Sequence, residues 1–159
     1  MFQLLNTNLY VGPKHDLDKT NNDNWAFVHA CKSSHILKLG EQFNTSPYYM
    51  MFEEDNHLYI NWVDLPDPQR FNWNNEGVKN MVKALDFIDQ WIESKKVYVH
   101  CDYGQSRSAA LVMLYLAIRA KLISPDFNKA VIEFTNIYPD YFSDSGITKF
   151  IGLNWGELV

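Results

Sequence analysis

The hydrophobic pattern of the chain changes period sharply near residue 108. Val97, Tyr98 and Val99 make the short apolar run of a buried strand, and from Ser108 onward residues 109 to 118 are nearly all apolar, which predicts a buried helix. A small polar loop with one cysteine, one glycine and one arginine joins the two. Upstream, residues 9 to 11 predict a strand stopped by Gly12 and Pro13, residues 14 to 24 a loop or short exposed helix, and residues 25 to 30 another strand-like run. Residues 48 to 52 predict a strand, 53 to 56 a turn and 57 to 63 a further strand, so this pair is either a hairpin or the frame of a connection. Pro66 and Pro68 forbid a helix and force residues 64 to 68 into an extended, rather rigid loop.

Helical spacing then takes over. Val78, Met81, Val82, Leu85, Ile88, Trp91 and Ile92 share one face of a helix capped by Asn74 or Asn75 and ending near Ser94. Ser124, Pro125 and Asp126 give a start signal for a helix carrying Phe127, Ala130, Val131, Phe134 and Ile137, ended by Tyr138 and Pro139. Ile147, Phe150, Ile151 and Trp155 predict a final short helix over the core.

At 159 residues and 47% hydrophobic content, without repeats, the whole of 1–159 is expected to form one domain. The net charge of −5 argues against polyanionic partners, since nucleic-acid binders usually carry a basic face, and the basic residues form no dense cluster beyond Lys95 and Lys96. No apolar run nears the ~18 residues of a membrane span and the opening segment has no basic leader, so a cytoplasmic protein without membrane contact is expected. Cys31 and Cys101 do not make a disulfide framework; Cys31 reads as core. His15, His29, His35 and His57 show no metal-ligand spacing and read as surface or strand-end residues.

The chemistry lies in residues 97 to 108. Backbone N–H groups of a tight loop, followed by the free N–H groups and positive dipole end of a helix, suit a cluster of anionic oxygens such as phosphate. Arg107, six residues after Cys101, can offer two phosphate oxygens a planar fork. The same field favours the thiolate of Cys101, a nucleophile at neutral pH.

His100-Cys101, five intervening residues and Arg107-Ser108, with Gly104 inside, resemble the phosphate-binding loop of the cysteine-based protein tyrosine phosphatases. Lacking the Ala-Gly and Arg-Thr-Gly continuation of the tyrosine-specific members, the sequence is closer to the small dual-specificity branch. The fold expected is α/β, a central mostly parallel mixed sheet flanked by helices, with the phosphate-binding loop between a central strand and a helix. The resemblance implies a phosphatase acting on phosphotyrosine, with phosphoserine and phosphothreonine as further substrates, through a phosphocysteine on Cys101 and without metal or cofactor. Residues Asp102, Tyr103, Gly104, Gln105, Ser106 and Arg107 would hold the phosphate, and Ser108 would hydrogen-bond the sulfur. His100 would order the loop, and Asp102 argues against a highly anionic phosphoinositide.

A leaving group needs an acid, which the family carries as an aspartate on a loop ahead of its cysteine. Asp64 and Asp67, 37 and 34 residues before Cys101, both qualify. Trp62-Val63-Asp64 is similar to the family's Trp-Pro-Asp and favours Asp64, while Asp67 fits the spacing of some dual-specificity members. The alternative reading, for whichever of the two is not the acid, is a turn-forming aspartate beside a proline. In the family a strand and loop near residue 31 border the site, so Lys32, Ser33 and His35 either approach substrate or lie in solvated loop. The competing readings are an RNA 5′-phosphatase or triphosphatase, a non-catalytic phosphate-binding module and a rhodanese-like sulfur carrier.

Overall fold

The computed structural model describes residues 1–42 and 48–159. Six strands form one mixed sheet: β1 (Phe2–Gln3), β2 (Leu9–Pro13), β3 (Trp25–His29), β4 (Met51–Glu54), β5 (His57–Ile60) and β6 (Lys96–Cys101), in the order β1-β2-β6-β3-β5-β4. The four inner strands run parallel and the two edges pair antiparallel, which is the expected α/β architecture. Six helices accompany it among the described residues: α1 (Lys32–Leu39), α2 (Gly77–Ile92), α3 (Arg107–Ile118), α4 (Phe127–Ile137), α5 (Gly146–Leu153) and α6 (Trp155–Leu158).

Period-2 alternation divides the sheet into two unlike faces. Val97, Val99, Ala26, Val28, Leu58 and Ile60 point to one face, where they join the main core with the buried sides of α2, α3, α4 and α5. The other face carries Tyr98, His100, Trp25, Phe27, His29, His57 and Tyr59, a layer of stacked aromatic and histidine rings. β6 is buried on both faces, as a central parallel strand should be. Its apolar continuation, α3, is buried from Arg107 to Ala117, which explains a helix with almost no polar side.

Several boundaries differ from the sequence expectation. Residues 32 to 39 are helical where a solvated loop was one reading; the first N–H of α1 donates to the carbonyl of Trp62 (2.9 Å), a long-range anchor that composition does not reveal. The strand expected from residue 48 begins at Met51, and residues 43 to 47 lie outside the described residues. β4 and β5 form the antiparallel hairpin. Neither Asn74 nor Asn75 caps α2: both adopt positive φ in a tight turn, and Asn72 Oδ1 instead accepts from the N–H of Gly77 (3.1 Å). α4 starts two residues later than Ser124 implies because the cap is Asp126, whose carboxylate accepts from the N–H of Lys129 (3.0 Å). No helix among the described residues is long and apolar enough to cross a membrane.

α5 presses the loop after β5 into place. A Cβ built on Gly146 would lie 2.0 Å from the carbonyl oxygen of Leu65, so the helix start and that loop fit only without a side chain there. Gly146→Ala is expected to lower stability by about 1–3 kcal/mol, the usual cost of overpacking. Urea unfolding checks it, and an unchanged midpoint would show that the loop gives way freely.

Candidate active site

The loop 102–106 leaves the buried end of β6 and enters α3. Gly104 turns it with φ +73, and a Cβ there would lie 2.4 Å from the backbone of Gly12 at the end of β2. Only glycine meets both conditions. Tyr138, after α4, donates to the carbonyl of Gly104 (2.8 Å), and Gln105 uses its carbonyl to accept from the N–H of Phe142 (2.8 Å). The loop is therefore braced from outside, and Tyr103 stands free of the brace, 76% exposed.

Cys101 is buried, with Sγ 3.2 Å from Oγ of Ser108, the second residue of α3. Ser106 occupies the N-cap without a side-chain cap bond, so the first-turn amides of α3 remain donors for a guest anion. Arg107 is 3% exposed: one terminal nitrogen donates to the carbonyl of Trp62 (2.9 Å), the other to Asp102 (3.0 Å), and Nε has no partner among the described residues. The Asp102 carboxylate also accepts from Ser33 Oγ (2.6 Å), and Lys14 Nζ reaches Ser33 Oγ (3.3 Å). Burial raises the Asp102 carboxyl, but the Ser33 and Arg107 hydrogen bonds and the Arg107 charge together outweigh it and hold the group below its usual range.

Of the residues singled out in the sequence, Cys101, Arg107 and Ser108 are brought together, and Ser33 joins them through Asp102. Asp64 is exposed on the loop that leaves Trp62, where it lines a cleft of about 200 Å³ with Phe142 and Gly146. Asp67 accepts from the N–H of Gln69 (3.0 Å) and caps a single 3-10 turn at Pro68–Phe71. Lys32 is exposed at the start of α1. His35 is fully buried and bound through Nε2 to the carbonyl of Tyr48 (2.7 Å), so it takes no part in the pocket.

The histidines correct the sequence reading. His29 does close β3, a strand end, but it is buried and lies between His100 and His57 in one hydrogen-bonded line. Residues so far apart in the chain are joined only by strand register, which pairs His29 with His100. The available signal was parity: Phe27 and His29, His57 and Tyr59, Tyr98 and His100 alternate with aliphatic residues and must share one face. Burial, chiefly, lowers all three imidazoles, His100 to about 4. Among the described residues no group of His, Cys, Asp or Glu is arranged to hold a metal ion.

The catalytic-domain family described as "Dual specificity phosphatase, catalytic domain" matches residues 9–137. This chain belongs to that family. Its fold is also that of solved structures of low identity. A leucine rich repeat and phosphatase domain containing protein from Entamoeba histolytica is 16% identical, covers 98% of this chain and 90% of its own, with TM-score 0.65. The Yvh1 phosphatase domain from Chaetomium thermophilum is 16% identical over 98% and 95%, with TM-score 0.63. A human tyrosine phosphatase-like serine/threonine/tyrosine-interacting protein is 16% identical over 94% and 92%, with TM-score 0.62.

His100 gives this family member a definite acid sensitivity. An unfolded histidine takes a proton near pH 6.5 and the native His100 only near 4, so the unfolded state binds more protons between these values. Stability present above pH 6.5 should fall as pH drops through the window to 4, by about 3 kcal/mol from His100 alone, with His29 acting in the same sense. Urea midpoints between pH 7 and 4 test this; a flat profile would mean that the native rings take up protons as they do in the unfolded chain.

Proposed function

We propose that residues 1–159 form one metal-independent catalytic domain, a phosphatase of phosphorylated proteins that acts through a phosphocysteine on Cys101, on phosphotyrosine and also on phosphoserine and phosphothreonine. The observation that carries the reading is the contact of Cys101 Sγ with Ser108 Oγ beneath an uncapped helix start, beside the guanidinium of Arg107. In the first step the Cys101 thiolate attacks phosphorus, the P–O bond to the leaving group breaks, and an acid protonates the departing oxygen. In the second, water attacks the phosphocysteine, the P–S bond breaks, and the same aspartate, now ionised, takes the water's proton. Arg107 and the loop amides hold the phosphoryl oxygens through both steps, so most of the acceleration is positioning and electrostatics. The Ser108 hydroxyl donates to the departing thiolate.

Asp64 is the acid in this reading. Its support is the occupation of its rival, since Asp67 is committed to the cap of the 3-10 turn while Asp64 stands exposed on the loop whose Trp62 carbonyl binds Arg107. Phosphorylated protein is preferred over RNA ends because the chain carries −5 net charge and its basic residues form no dense cluster in the sequence beyond Lys95 and Lys96. The intact nucleophile, arginine and acid loop count against a binding-only module. The proposed place of action is the cytoplasm.

Hydrolysis of a small aryl phosphate should survive chelation and fall by a factor of at least about 10³ in Cys101→Ser, while the variant still binds phosphotyrosine peptide. Unchanged turnover in that variant would sink the mechanism. Asp64→Ala should lose about 10²–10⁴ in kcat and the basic limb of its pH profile, with Asp67→Ala much milder; the reverse ranking would reassign the acid. Asp102→Asn should lower the inhibition constant of inorganic phosphate about two- to fivefold, the scale of an ion pair partly in solvent. An unchanged constant would show that Arg107 does not exchange Asp102 for phosphate.

A further inference from the structure

Behind the phosphate loop three imidazoles stand in line across β6, β3 and β5, and no step of the reaction above uses them. His100 Nε2 lies 2.6 Å from His29 Nδ1, and His29 Nε2 lies 2.9 Å from His57 Nδ1. The outer nitrogens meet oxygens: His100 Nδ1 is 3.4 Å from the carbonyl of Cys101, and His57 Nε2 is 2.8 Å from Oδ1 of Asn22 at the surface. Every ring nitrogen in the line is engaged. Phe27 and Tyr59 stack on these rings (His57–Phe27 4.6 Å, His29–Tyr59 4.4 Å), which fixes their planes.

Counting hydrogens shows what such a line can do. The four contacts, two between rings and two to oxygen acceptors, need four N–H hydrogens, whereas three neutral imidazoles carry three. With three hydrogens the line closes only if Asn22 turns its amide and donates to His57 Nε2. Each ring then carries its hydrogen on Nδ1, and all the N–H bonds point toward Cys101. With a fourth hydrogen the line is a cation and Asn22 accepts through Oδ1. The amide of an exposed asparagine thus selects between two proton arrangements of a buried chain.

We propose that His29 and His57, together with Asn22, are positioning residues of the phosphate loop: with His100 they form a relay that couples the hydrogen bond at the Cys101 carbonyl to proton uptake at the protein surface. The consequence for catalysis rests on Cys101 being the nucleophile; the relay itself does not. Charged and titratable groups face it from several elements. Lys14 acts on His29 and His100, Asp102 and Arg107 on His100, and Lys38, Glu54 and Asp55 on His57. Tyr59 and Tyr98 are ring neighbours of His29 and His100. These groups bias the line at its ends, while the middle ring, His29, meets the two other histidines through both its nitrogens.

The test uses the full chain with ¹⁵N-labelled histidine. At neutral pH the three rings should be neutral and hydrogen-bearing at Nδ1. Asn22→Asp, an exposed change, places at the outer end a group that only accepts while ionised. The midpoints of all three rings should then rise together by about half a unit to one unit, and the pH midpoint for alkylation of Cys101 by iodoacetamide should fall. In the double variant with His29→Phe the response should be confined to His57. Persistence of the response at His100 and Cys101 without His29 would overturn the relay. If the double variant does not fold, Asn22→Asp alone decides, since a response at His57 only would overturn it equally. Neither readout needs turnover, so a chain that relays but hydrolyses no phosphoester would refute the proposed function and leave the relay standing.

Discussion

A buried guanidinium governs the arrangement of the site. Arg107 cannot give up its proton, and a charge taken out of water without partners costs several kcal/mol, so a 3% exposed arginine must be met by acceptors wherever the fold puts it. The acceptors it meets are the carbonyl of Trp62 and the carboxylate of Asp102. The Trp62 carbonyl also takes the first N–H of α1, so one oxygen joins the end of β5, the start of α1 and the start of α3. The loop bearing Asp64 leaves from that oxygen, and Gly146 closes it from the other side. Satisfying one cation therefore ties the loop bearing Asp64 to the start of α3, and the proposed pairing of Asp64 with Cys101 rests on that tie.

The two faces of the sheet do different work. The face under α2 to α5 is filled with aliphatic residues and supplies the burial that holds β6 still. The opposite face has polar-tipped rings, and each ring there must find a partner or bear the cost of an unmade bond. Tyr98 donates to the carbonyl of Pro13, and the histidines bond to one another. A buried layer of this kind specifies register closely, because a slip of one residue would leave three imidazoles unpaired.

The sequence showed the junction at 97 to 108, the six-residue spacing from cysteine to arginine and the helix-forming faces of residues 78 to 92, because each is a local pattern with a physical cause. It left open which of Asp64 and Asp67 is the acid. The observation bearing on that choice is a cap bond between Asp67 and Gln69, formed in a single 3-10 turn that prolines make hard to foresee. The helix at Lys32–Leu39 was obscured by two serines of modest helix propensity, and its anchor is a carbonyl thirty residues away in the chain. The histidine line was hidden for a related reason. Each member looks unremarkable among its own neighbours, and only three strands in parallel register give them a common axis.

Asp102 gives the phosphate loop a resident anion. Held ionised by Ser33 and Arg107, it occupies a face of the guanidinium that a phosphoryl group would also claim. A dianion arriving within about 4 Å of that carboxylate meets a repulsion of roughly 1–4 kcal/mol per unit of charge, depending on how much water remains between them. On the proposed function, entry would be an exchange in which Arg107 trades a carboxylate for a phosphate, with Ser33 and Lys14 beside the displaced side chain. The exchange weakens binding of substrate and product alike. Its cost grows with the number of phosphates near the mouth, so a single isolated phosphate is the guest that such a loop disfavours least. On the same proposal the carboxylate would return to Arg107 as orthophosphate departs and so shorten the time that product holds the site.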